Sequence, residues 1–224
     1  MRKYFVLLTV FSSLTFFLNA QNKEKGHDYV DLGLSVKWAT CNVGASTPED
    51  YGNFYAWGET QTKQSFTAKN YAFRTGGSWA ADIRLSKYNT NPEKGPVDGK
   101  VRLVPSDDAA SVNWGGRWRM PTKDEVEELF SRCRWVKSEI NGVPGFRVTG
   151  PNGNSIFIPA TGLMSENKII GQGERACIWT SSLITNDAYP CAAASCLIVY
   201  NSKNRQNDMD RAIGMMVRPV FKSN

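Results

Sequence analysis

The chain has 224 residues, with 27 Lys and Arg against 21 Asp and Glu, five cysteines and a single histidine. Taking Arg2 and Lys3 off with an N-terminal leader leaves 25 basic against 21 acidic residues, a net of +4 spread in mixed sign. No stripe of Lys and Arg with stacking aromatics is present, which argues against a nucleic-acid partner.

Residues 1–20 read as a signal peptide. Arg2 and Lys3 form a short basic start, Tyr4 to Leu18 an apolar run, and Leu18-Asn19-Ala20 a small-residue cut before Gln21. The run is short for a membrane span, and the first cysteine is Cys41, well past the cut. The expected product is an exported protein, periplasmic, cell-surface or secreted, with no stable membrane span after cleavage. Residues 21–28 are polar and are expected to form a loose lead. It carries His27, so a Ser-His-Asp or Cys-His centre has no credible base. No Pro-rich or Ser/Gly linker divides residues 29–221, which are expected to form one domain.

From Tyr29 to Ala45 the pattern predicts two short strands turning at Gly33, with Val36, Trp38 and Thr40 on one face. The stretch from Ser46 to Asn53 predicts a turn or a single helical turn, capped by Ser46 or Thr47 with Pro48 next. Residues 53–59 are aromatic and short, a strand or a packed loop. Residues 60–113 show no sustained period and read as surface loops. Asp82, Asp98, Asp107 and Asp108 offer oxygen ligands for a cation, but at no recognisable loop spacing. A short helix is predicted at residues 107–112.

The strongest local signal lies mid-chain. Thr122 followed by Glu125 is a capping box, with Pro121 and Val126 at the staple positions. Val126, Leu129, Phe130 and Cys133 make one apolar stripe, acids crowd the first turn, and Arg132 and Arg134 close the last. These signals predict a helix over about 122–134, lying against sheet, with Glu125 capping it and no partner carboxylate for catalysis. Phe146 and Val148 then face Ile156 and Ile158 across a Gly-Pro-Asn-Gly-Asn tip, predicting a hairpin. Strands are predicted at 176–181, 194–200 and 212–220, with polar loops at Ser182–Pro190 and Asn201–Asp210. One main helix, one or two minor helices, many short antiparallel strands and long loops define an α+β class.

Six fragments in order carry a family resemblance: residues 30–45 with Trp38 and Asn42, residues 49–59 with Tyr55 and Trp57, residues 114–129 with Trp118, Arg119, Pro121, Thr122 and Glu125, residues 158–162, residues 178–182 with Trp179, and residues 214–220 with Arg218. Together they resemble the Fibrobacter succinogenes major paralogous domain (FISUMP) family of exported Bacteroidota-type proteins. The resemblance implies a C-type-lectin-like fold, in which a small twisted antiparallel sheet and helices support long loops. It brings no catalytic residue and no defined ligand. The lectin sugar motif Glu-Pro-Asn is absent, so calcium-dependent sugar binding does not carry over. The motif residues have a structural reading. Trp118 and Trp179 anchor helix to sheet, each with an N–H needing a partner, and Arg119 and Arg218 make forked contacts to carboxylates or carbonyls.

The expected function is a non-enzymatic binding or adhesion module with no cofactor and no metal, displaying loops to a glycan or protein ligand. Asn186, Asp187, Tyr189, Tyr200, Asn204 and Arg205 are the expected ligand-binding residues, because rigid rings and amides suit adaptable recognition. Two alternatives are a passive component of a surface assembly and a copper-dependent thiol oxidase. The second rests on Cys191 and Cys196, whose spacing is similar to the thiol pair of formylglycine-generating enzymes; other signatures of that family are missing. A Cys191–Cys196 disulfide or two buried thiols are the structural readings of the same pair. With five cysteines, at least one is free or pairs outside the chain.

Overall fold

A computed structural model describes residues 22–77, 82–185, 192–201 and 205–223. In chain order the elements are β1 (Asn22–Glu24), β2 (His27–Val30), β3 (Lys37–Ala39), β4 (Arg74–Gly76), β5 (Arg84–Leu85), α1 (Ala109–Trp114) and α2 (Lys123–Arg132). They continue with β6 (Arg134–Ile140), β7 (Val143–Thr149), β8 (Ser155–Pro159), β9 (Leu163–Ser165), β10 (Lys168–Ile170), β11 (Ala176–Leu183), β12 (Ala193–Val199), β13 (Arg205–Asp210) and β14 (Val220–Phe221). Strand at 37 % outweighs helix at 13 %, and the pairing within each sheet is antiparallel, consistent with the α+β class.

The sheet β1-β2-β3-β14 brings the two ends of the described chain together, with Val220 opposite Trp38. The expectation of a loose lead at 21–28 is corrected over 22–28. These residues form the β1–β2 hairpin, Trp118 Nε1 donates to the Glu24 carbonyl at 2.8 Å, and His27 stacks on Trp114 with ring centroids 3.7 Å apart. Their partners come from more than 85 positions away, so nothing local announces the order.

The helix α2 begins as its sequence dictates. Thr122 accepts from the Glu125 amide at 3.2 Å and the Glu125 carboxylate accepts from the Thr122 amide at 2.8 Å, a reciprocal capping box. Its end falls earlier than predicted. Cys133 is already extended and Arg134 opens β6, so the stripe Val126–Leu129–Phe130 runs on into a strand. All four stripe residues still meet one core, shared with Trp38, Trp135, Phe146, Ile178, Val199 and Met216. The meander β6-β7-β8 contains the predicted hairpin plus one earlier strand. The Ser46–Asn53 stretch is a turn in which Asp50 accepts from the Ser46 and Thr47 amides.

Two expectations near the C-terminus change. Residues 205–210, expected as loop, form β13 on the edge of β11-β12-β13. Residues 212–220, expected as one strand, form instead a seam in which successive residues pair with different partners. Gly214 bridges Met164, Met215 bridges Tyr55, Met216 bridges Ile178 in parallel, and Val220 bridges Arg119. The Val217 and Pro219 carbonyls accept from the Val43 and Ala39 amides, each at 3.0 Å. Met215, Met216, Val217, Arg218 and Val220 are all fully buried.

The β7–β8 tip is fastened rather than free. Asn152 and Asn154 both donate to the Asp31 carbonyl at 2.9 Å, and a Cβ on Gly150 would stand 2.0 Å from the Leu32 carbonyl oxygen. Gly150→Ala should therefore destabilise the fold by about 1–3 kcal/mol, the usual cost of forcing atoms into a packed site. Urea unfolding of the variant checks this; an unchanged midpoint contradicts it.

Candidate functional site

Of the expected ligand residues, Asn186, Asp187, Tyr189 and Asn204 lie outside the described residues, as does Cys191. The Leu183–Ala194 pair marks one end of β12 and the Val199–Arg205 pair the other, about 17 Å apart at the usual rise per residue. Tyr200 and Arg205, the two that are described, both make contacts within the scaffold. The Tyr200 hydroxyl lies 3.3 Å from Gln206 Oε1, with the Arg175 guanidinium over its ring. Arg205 pairs with Glu127 at 2.7 Å and lies over the Phe130 ring, fastening the sheet edge to α2.

The end of β11 near Leu183 is the richer one. Leu103 N–H donates to the Ser181 carbonyl and Leu183 N–H to the Val101 carbonyl, both at 2.9 Å, so residues 101–103 run along β11. The preceding irregular stretch is held by polar side chains. Asp98 accepts from the amides of Tyr88, Asn89 and Lys100, and Asn89 donates to the Gly95 and Pro96 carbonyls. Tyr88 has a φ of 54°, rare for a bulky residue. Its hydroxyl donates to Asp107 at 2.7 Å and accepts from the Val104 amide at 3.0 Å. Asp108 caps α1 through the Ser111 amide and also accepts from the Met120 amide. Burial raises its carboxyl above the ordinary range despite those bonds. Three of the four aspartates considered as cation ligands are thus bonded to the backbone and neighbouring side chains. Among the described residues no group of three His, Cys, Asp or Glu is arranged to hold a metal ion.

Behind this stretch Arg211 is fully buried among the rings of Trp57, Tyr71 and Tyr88, with its guanidinium carbon 4.8, 5.4 and 6.0 Å from their centroids. It donates to the Tyr71 hydroxyl and to the Tyr88 and Lys87 carbonyls. Two indoles clasp the neighbouring chain: Trp57 Nε1 donates to the Thr180 carbonyl and Trp179 Nε1 to the Tyr55 carbonyl, each at 2.8 Å.

Against this frame opens a cleft of about 470 Å³, lined by Ser35, Val101, Arg102, Arg119, Thr122, Asp124, Glu125, Ser182 and Lys222. That volume falls in the usual range for small-ligand sites. Arg119 forks onto Glu125 at 2.7 and 2.6 Å. Burial pulls the Glu125 carboxyl upward, but the Arg119 fork and the Thr122 amide outweigh it and hold the group below the ordinary range. It is a fixed anion and not a proton donor. The Ser182 hydroxyl accepts from the Lys123 amide, so the helix start is already capped. Arg102 and Lys222 are exposed and form no ion pair among the described residues, and Val101 is 49 % exposed. The cleft therefore offers two available cations, one available carboxylate in Asp124, hydroxyls and a small apolar patch. Sequence reasoning missed Arg102 and Lys222 because they are isolated surface residues 120 positions apart, outside any motif.

Cys41, Cys133, Cys177 and Cys196 are free thiols, and Cys196 is buried; the Cys191–Cys196 pairing considered from the sequence involves Cys191, which lies outside the described residues. No protein-family model, no curated protein and no solved structure matches this chain. Among the described residues no helix is long and apolar enough to cross a membrane.

Asp210, at the same end of β12 as Leu183, makes a pH-dependent prediction. Burial pushes its carboxyl up to about 7, against the opposing pull of the Ala212 amide and the Arg211 charge. The fold favours the protonated form. That contribution is whole below the unfolded value of about 4 and is lost as pH rises through about 7. Asp210→Asn cannot ionise, so urea midpoints between pH 4.5 and 8 should fall with pH for the natural chain relative to the variant. Parallel curves would contradict this.

Proposed function

We propose that this chain is an exported, non-enzymatic recognition module of the FISUMP type on a C-type-lectin-like scaffold, and that it holds a glycan or protein ligand in the cleft beside the start of α2. The supporting observation is the chemistry of that cleft. Arg102, Lys222 and Asp124 stand with available charge around hydroxyls and Val101, while the buried carboxylate there, Glu125, is occupied by Arg119. Such a lining recognises polar groups and supplies no pair for proton transfer.

The scaffold reading draws on the same fragments that carry the resemblance. Trp57, Trp118 and Trp179 each donate an indole N–H to a carbonyl of another segment. Asn42 donates to the Tyr51 carbonyl, and the Pro121 carbonyl accepts from the Ser181 amide. The copper-oxidase alternative draws no support from Cys196, whose thiol burial pushes far above its ordinary range.

The mature chain, residues 21–224, displayed against glycan and protein arrays, should bind a restricted set of ligands. Arg102→Ala combined with Lys222→Ala should weaken that binding about tenfold or more, as expected for lost charge-assisted hydrogen bonds, with thermal stability nearly unchanged. Binding that survives the double variant intact, or no binding at all, counts against the proposal.

A further inference from the structure

The lining of the cleft beside α2 carries more positive charge than the chain itself employs. Arg102 and Lys222 are both exposed and form no ion pair among the described residues. Two carboxylates around the cleft are already engaged. Glu125 lies in the Arg119 fork, while Glu128 accepts from the amide and hydroxyl of the lining residue Ser35 and pairs with Arg132 at 2.9 Å. Asp124 is exposed and is the lining carboxylate that meets no cation. The Ser182 hydroxyl oxygen accepts from the Lys123 amide at 3.1 Å, which leaves its proton to be donated. The cleft thus offers two cations and a hydroxyl donor to an anionic group, and one acceptor, Asp124, to a donor beside it.

Three ligand chemistries fit this pattern poorly. An added peptide strand needs a run of free main-chain amides and carbonyls. Here the amides of Ser35, Thr122, Lys123 and Ser182 donate to side chains of the chain itself, and the Leu103 amide and Val101 carbonyl are spent on β11. A neutral sugar would find no aromatic ring among the lining residues and would leave both cations without a partner. A densely sulfated sugar would bring like charge to Asp124 and lack the hydroxyls that donate to it.

Building on the recognition-module proposal, we infer that the cleft takes an acidic sugar of the uronic-acid type, with its carboxylate on Arg102 and Lys222 and a ring hydroxyl donating to Asp124. A uronic acid joins one planar carboxylate to several hydroxyls within a single ring, which is the combination this lining complements. The Arg102 guanidinium forks onto both carboxylate oxygens, and Lys222 adds a second charge as a compact donor. Val101, 49 % exposed, offers its methyl groups to the C–H face of the ring.

The test titrates the mature chain calorimetrically with oligosaccharides of galacturonate, of mannuronate and of hyaluronan, each beside its carboxyl-reduced neutral counterpart, and with a sulfated glucan. At least one acidic oligosaccharide should bind, and its reduced counterpart should bind about tenfold more weakly or less, as for a lost hydrogen bond to a charged group. The affinity for the acid should fall as salt is raised. Arg102→Gln and Lys222→Gln should each weaken it about tenfold. Arg147→Gln, at an exposed position on β7 outside the cleft, should leave it unchanged. No binding by any of the three acids, equal binding of acid and reduced forms, equal loss through Arg147→Gln, or tighter binding of the sulfated glucan would overturn the assignment. Array ligands that are neutral glycans or peptides, and are lost in the Arg102 and Lys222 double variant, would overturn the acidic sugar while leaving the recognition module. Arrays that stay silent would remove both.

Discussion

A guanidinium buried among carbonyls, with no carboxylate partner among the described residues, sits at the centre of this molecule. Taking a charge out of water costs several kcal/mol unless fixed dipoles replace the solvent, and here the dipoles are the carbonyls of Ala39, Thr40 and Phe157. Burial still shows through, pushing Arg218 down to about 10. Because two of those carbonyls lie at the end of β3 and the third belongs to β8, satisfying one side chain locks the terminal sheet to the meander. The backbone around it does the same job on every side, since residues 214–220 pair in turn with segments at 164, 55, 178, 43, 39 and 119. A seam of this kind has no slack: each residue is held by a different part of the chain.

Arg211 repeats the device a few residues earlier, with three rings and backbone carbonyls around it. Its partners hold the irregular stretch before α1, and that stretch carries Val101 and Arg102 to the rim of the cleft. Opposite rims come from the start of α2 and from Lys222, just beyond β14. The cleft is therefore assembled from pieces whose relative positions the two buried arginines and the crossed indoles of Trp57 and Trp179 determine. The groups on its rims are thus held in place by parts of the chain that do not themselves line it.

How much could be read from the residues depends on how local the stabilising contacts are. The α2 capping box and its apolar stripe are settled within a dozen positions, and the β7–β8 hairpin within about fifteen. The strand β13, Arg-Gln-Asn-Asp-Met-Asp, has no apolar alternation; it exists because β12, buried along its whole length, offers it an edge. Residues 212–220 do alternate, yet the alternation serves a seam and not a sheet. The order in residues 22–28 comes from Trp114, Arg117 and Trp118, far along the chain. Arg102 and Lys222 carry no pattern at all, and only the fold brings them to one cleft. The α+β class was legible because it depends on element types, while the site was not, since it depends on their arrangement.

Amide hydrogen exchange on the folded mature chain reads this dependence directly, because local opening reports how strongly each segment is held. The amides of Ala39, Val43, Tyr55, Met215, Trp179 and Val220, all bonded along the seam, should be among the slowest to exchange and should do so together, with the Val101–Leu103 rim opening earlier. Seam amides that exchange as fast as the exposed turns, or piecemeal at unrelated rates, would contradict a scaffold organised around Arg218.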